Sequence, residues 1–87
     1  MKAVITVIGK DQVGIIARVS NLLYKHEINI LDISQTIMQE LFTMIMIVDM
    51  QGAHIGDISE EIKALEKELN SSIHVQNEDI FNSMHRI

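Results

Sequence analysis

The sequence predicts an α+β domain: a four-stranded antiparallel sheet with two helices on one face, in the order β-α-β-β-α-β, and a short C-terminal helix. Three observations predict it. Apolar residues switch between a period of two and steps of three and four at each expected boundary. Two β-branched stretches lie almost back to back between 28 and 50, as a hairpin requires. The second of them is apolar on both alternating sets, the mark of a central strand covered on both faces.

Residues 2 to 9 form the first strand, with Val4, Ile5, Val7 and Ile8 favouring extended backbone. Gly9-Lys10-Asp11-Gln12-Val13-Gly14 is then a strand-to-helix turn bounded by glycines, which allow positive φ or close backbone approach. The helix from Ile15 to His26 carries Ile15, Ile16, Val19, Leu22 and Leu23 on one face. Its first N–H groups lack internal partners and suit a carboxylate or phosphate. The glycine spacing resembles the start of a phosphate-binding loop. However, Ile15-Ile16 stand where Lys-Ser/Thr is needed, so a nucleotide loop is set aside.

The stretch from Ile28 to Met38 alternates Leu31, Ile33 and Ile37 with Asp32, Ser34 and Thr36. Gln39-Glu40-Leu41 is a polar break without the Asn-Gly or Asp-Gly of a tight hairpin. Phe42 to Met50 is the third strand, and Gln51 to Gly56 a loop. Asp57 and Glu60 look like a variant capping box opening the second helix, whose apolar stripe is Ile58, Ile62, Leu65 and Leu69. Glu60, Glu61, Lys63, Glu66, Lys67 and Glu68 form its wet face. Asn70-Ser71 ends it, and Ser72 to Gln76 is a fourth strand. Asn77-Glu78-Asp79 would cap a last helix with Ile80, Phe81, Met84 and Ile87 on its apolar side. This order is the split βαβ, ferredoxin-like plan, with the first and third strands at the centre.

The 87 residues are read as a single domain, core 2–77 and helical tail 78–87, with no linker, proline or low-complexity tract. A net charge of −5 and seven scattered Lys and Arg argue against nucleic acid and anionic membranes. No cysteine is present, which removes disulfides, thiolate metal sites and a thiol nucleophile. No apolar block is long enough for a signal peptide or membrane span, so a soluble, cytoplasmic protein is expected. His26, His54, His74 and His85 have no ligand spacing, and His54 reads as a solvent residue in its loop. The Met set, Met38, Met44, Met46 and Met50, reads as core or interface filler. No serine sits in a nucleophile elbow and no carboxylate pair is placed by spacing. The chain is therefore read as not an enzyme, without cofactor or metal.

The helices cover one face of the sheet only. Either Val4 and Ile8, or Ile5 and Val7, must point the other way with one apolar set of the third strand. Such a patch is unusual on a soluble monomer. Burying about 600 Å² per copy contributes ~15 kcal/mol before association costs. A homodimer is expected, through sheet or edge contacts.

Gly9-x-Asp11-x-x-Gly14-Ile15-Ile16, then Val19, Leu22-Leu23 and Ile28-Asn29-Ile30 with Ile33, resembles the ACT domain, a small regulatory module of amino-acid metabolism. The resemblance spans about residues 2 to 77. It is similar in particular to small stand-alone bacterial ACT proteins related to the glycine-cleavage repressor. It implies an amino acid or similar small anion bound between two copies. Asp11, Gln12, Val13 and Gly14 of one copy would face Asn29 and Ile30 of the other. Val13 stands where many relatives have proline, and the hairpin turn at 39–41 lacks the usual glycine. Asp11 is also a sound helix cap, and Asn29 a sound residue for a helix-to-strand corner. A docking module for an enzyme or regulator, binding no metabolite, is the alternative reading.

Overall fold

The computed structural model describes residues 1–84. Its elements are β1 (Lys2–Lys10), α1 (Ile15–Lys25), β2 (Asn29–Met38), β3 (Leu41–Asp49), α2 (Ile55–Leu69), β4 (Ser71–Asn77) and α3 (Glu78–Met84). The sheet is antiparallel throughout, in the order β2-β3-β1-β4, so β1 and β3 are central as the apolar pattern requires. This is the expected ferredoxin-like βαββαβ plan. The expected apolar side of the last helix includes Ile87, which lies outside the described residues.

Register settles which face is which. Ala3, Ile5 and Val7 pair with Val48, Met46 and Met44 and are fully buried under α1 and α2. The opposite face carries Val4, Thr6 and Ile8 of β1 with Ile47, Ile45 and Thr43 of β3. Ile8 is 41% exposed and Ile45 38% exposed there. That face is not wholly uncovered, which corrects the expectation that helices cover one side only. Gln76 shares it with Val4, and Gln76 Nε2 donates to Met84 Sδ of α3 at 3.4 Å. The short helix thus folds back over β1 and β4, and Val4 is buried.

Each helix ends by local chemistry. The Ile28 N–H donates to Leu23 O and the Glu27 N–H to Tyr24 O, both at 3.0 Å, with Glu27 at φ 57. That is a Schellman motif with glutamate at the left-handed position and buried Ile28 closing over buried Leu23. The second helix starts three residues before the expected place. Ile55 and Gly56 are helical, and His54, not Asp57, is the N-cap. Asp57 sits at the third helical position, where its Oδ2 accepts the His54 N–H at 2.8 Å. An Asp at that position offers the same carboxylate to free N–H groups as an Asp cap, so the sequence placed it one turn late. His54 is exposed as expected, but its backbone caps the helix.

Two further boundaries differ from the sequence reading. Strand β3 runs Leu41–Asp49, one residue earlier at each end. Met38 pairs with Leu41, so the polar break is a two-residue hairpin after all. Gln39 and Glu40 both take positive φ, 49° and 71°, in place of the Asn-Gly such turns favour. Gly9 belongs to β1 and not to the following turn. A side chain there would meet Ser71 Cβ at 2.6 Å, so its role is close strand packing against β4.

Candidate functional site

Gly14 closes the β1–α1 turn at φ 91, left-handed, and is the N-cap of α1. No side chain caps the helix and no acidic residue lies in its first turn. The N–H groups opening α1 therefore keep their partial positive charge. Asp11 does not cap the helix. Its backbone N–H donates to Glu40 O at 2.7 Å, which ties the turn to the tip of the β2–β3 hairpin. Gln12 Nε2 donates to Leu69 O at 2.6 Å and to Lys10 O at 3.3 Å. Its amide thus anchors the turn to the last carbonyls of α2. Val13 is fully exposed at the apex. The turn lacks proline but is held at both sides by hydrogen bonds.

A cleft of about 390 Å³ opens in front of it, lined by Asp11, Gln12, Gly14, Ile15, Ile16, Ala17, Gln35, Ile37 and Phe42. The first six come from the turn and the start of α1, and the rest from the hairpin. Its polar groups are one carboxylate, two amides and backbone N–H groups, and its walls are aliphatic. Such a site can hold a small zwitterion: anion at the helix start, ammonium at the carboxylate, apolar group on the wall.

Asn29 and Ile30 lie elsewhere. Asn29 pairs with Asp49, at the end of β2 away from the turn, in a second cleft lined by Tyr24, Glu27, Ile28, Asn29 and Gln51. Ile30 packs against the core and pairs with Val48. Asn29 and Met38 are the two ends of a ten-residue strand, about 30 Å apart at a strand's rise. Within one chain Asp11, Gln12 and Gly14 line the cleft, while Val13 points away from it and Asn29 and Ile30 lie elsewhere.

The sequence reading did not pick out Gln35 and Ile37. A shift between Ile30 and Asp32 leaves Leu31 as a bulge, after which Ile33, Gln35 and Ile37 face the helix side opposite Met46, Met44 and Phe42. Gln35 is the polar interruption in that otherwise apolar set, and this was the signal available. Elsewhere, Glu61 of α2 accepts from His26 Nε2 at 2.9 Å and pairs with Lys25 Nζ at 3.7 Å. The His26 hydrogen bond chiefly, helped by the Lys25 charge and opposed by desolvation, holds the Glu61 carboxyl below its usual range. Among the described residues no three His, Asp or Glu gather as metal ligands.

The sequence model of the ACT domain matches residues 2–76. The chain belongs to the ACT domain family. A UPF0237 protein of Clostridium acetobutylicum is 56% identical over 89 residues, covering 100% of both chains. An ACT domain protein from Streptococcus pneumoniae superposes with a TM-score of 0.81 at 41% identity, covering 93% of each chain. A structure named for a glycine cleavage system transcriptional repressor shares the fold, with a TM-score of 0.77 at 23% identity over 86% of this ACT chain and 44% of that one. Among the described residues no helix is long and apolar enough to cross a membrane.

Proposed function

We propose that this ACT domain is a regulatory sensor that binds an amino acid, or a similar small anion, between two copies of itself. The observation that carries the proposal is the edge strand β2. All of it but Ile30 is exposed, including Leu31, Ile33, Ile37 and Met38 at 46%, 42%, 57% and 66%. It has no lysine and no proline, and its protections as a free edge are the bulge at Leu31 and the Asp32 carboxylate, which accepts the Ile33 N–H at 2.8 Å. Two such edges pair antiparallel about a two-fold axis. With the axis through Ser34, Ile33 of one copy lies opposite Gln35 of the other and Asp32 opposite Thr36, and the bulge at Leu31 then sets Ile30 opposite Ile37 and Asn29 opposite Met38. Ile37 lines the cleft at the turn. The pairing therefore carries Asn29 and Ile30 to the cleft of the second copy and completes the set Asp11, Gln12, Val13, Gly14, Asn29 and Ile30.

In that arrangement the α1 N–H groups receive the ligand carboxylate, Asp11 the ammonium, and Asn29 either group. Gln12 contributes by position, since its amide nitrogen is engaged by Leu69 O. Calorimetry against the twenty amino acids, with Asp11→Ala and Asn29→Ala as controls, tests this reading. Heat with one ligand, lost in both variants, is expected. No heat with any of them ends it.

The alternative is a docking module for an enzyme or regulator. The exposed Ile8 and Ile45 on the second sheet face favour it. A pulldown in metabolite-free buffer that recovers one reproducible partner, lost in Ile45→Asp, would support it over sensing.

A further inference from the structure

The cleft before the β1–α1 turn has one polar side chain in an otherwise apolar wall. On the helix side of β2, Gln35 stands between Ile33 and Ile37, opposite Met44 of β3. It is exposed and lines the cleft with Ile16, Ile37 and Phe42. The cleft's other amide, that of Gln12, already has its nitrogen on Leu69 O and Lys10 O. Among the described residues no protein group holds the Gln35 amide. An amide both donates and accepts, so it can read either kind of group. The β2 pairing proposed above does not occupy it. That register puts Ile33 of the second copy directly opposite Gln35, which adds apolar surface and no hydrogen bond. An amide drawn into such a wall needs a partner, and what enters the cleft can supply one.

Charge narrows the class of ligand. Among the lining residues Asp11 alone carries a formal charge. Arg18, one turn into α1, is drawn away into an ion pair with Glu68 of α2. Lys10 falls in the alternating set of Val4, Thr6 and Ile8, on the other face of the sheet. Asn29 and Ile30 of the second copy bring no charge. With the ligand's ammonium on Asp11 and its carboxylate at the start of α1, a second carboxylate would find no cation. A second ammonium would find no free carboxylate.

We propose that Gln35 reads the ligand's side chain, and that the site takes amino acids whose side chain is uncharged and carries a hydroxyl or an amide. The inference rests on the sensor reading above and deepens it.

The test is calorimetry on the wild type and Gln35→Met with near-isosteric pairs: serine and alanine, threonine and valine, asparagine and leucine. Gln35→Met keeps an unbranched side chain of similar length and removes the amide. In at least one pair the polar member should bind the wild type about tenfold or more tighter than its apolar mate. Gln35→Met should abolish or reverse that preference. Losses of fold or assembly weaken both members alike and leave the ratio unmoved. If none of the twenty amino acids binds the wild type, the sensor reading falls and this inference with it. If one binds but apolar or charged side chains are preferred, or if Gln35→Met keeps the wild-type ratio, the role of Gln35 alone is overturned. NMR on the wild type decides the matter if Gln35→Met does not fold. The Gln35 side-chain amide signals should move with the polar member of a pair and stay in place with its apolar mate. Equal movement with both, or none with either, overturns the proposal.

Discussion

The hairpin at Gln39–Glu40 offers a quantitative test of the structure. Both residues hold positive φ without being glycine. Each such residue costs on the order of 1 kcal/mol relative to a residue suited to that region. Replacing the pair by Gln39→Asn and Glu40→Gly relieves about 2 kcal/mol of that strain. The new glycine returns roughly 0.5–1 kcal/mol through the freedom it gives the unfolded chain. The net gain is about 1 kcal/mol, which for a domain of this size raises Tm by about 4–8 °C. Thermal unfolding by circular dichroism reads it directly. The Glu40 carbonyl that holds the Asp11 N–H is backbone and is retained, so the turn beside the cleft keeps its place. An unchanged or lowered Tm would refute the two-residue turn with paired positive φ, and with it the register Met38–Leu41.

Three further outcomes follow from the same contacts. Gly9→Ala drives a methyl group against Ser71 and should cost about 1–3 kcal/mol, seen as a lower urea midpoint. Gln12→Ala removes the turn's tie to Leu69 O, which keeps only Ser71 Oγ as a side-chain donor, and should cost ~1 kcal/mol while weakening ligand binding through a looser turn. Glu61 has a folded pKa below its unfolded one, so its stabilisation is complete above the ordinary glutamate range and is lost as pH falls through the lower folded value. His26→Ala removes the main cause of that shift, so the acid limb of a stability-against-pH curve should flatten in that window.

The fold was legible because each element announces its period. The stripe Ile58, Ile62, Leu65, Leu69 and the doubly apolar β3 leave few other arrangements, and all four residues of the stripe are buried in the core. Turn chemistry was less legible. Gln39-Glu40 carries no glycine signal because the sheet, not the residue types, enforces its backbone. Asp57 was read as a cap because a carboxylate serves both positions. The fold-back of α3 depends on contacts between Gln76 and Met84 that no local pattern encodes. The site was legible in part. The glycine at 14 marked the turn, and resemblance supplied Asn29. Gln35 was signalled only as the polar break in the set Ile33, Gln35 and Ile37, and the bulge at Leu31, which no residue pattern marks, decides that this set faces the helix side. Gln12 was placed at the site by its position in the turn, whereas its amide nitrogen faces α2.

The claim at the centre is that one site takes Asp11 from one copy and Asn29 from the other. Subunit complementation measures it most directly. Asp11→Ala and Asn29→Ala chains carrying different tags are co-expressed, and the mixed dimer is purified and titrated by calorimetry with the amino acid that binds the wild type. Shared sites predict that the mixed dimer regains wild-type affinity at half the wild-type stoichiometry, because one of its sites has both residues intact. A mixed dimer that binds no better than either homodimer of variants would contradict the account.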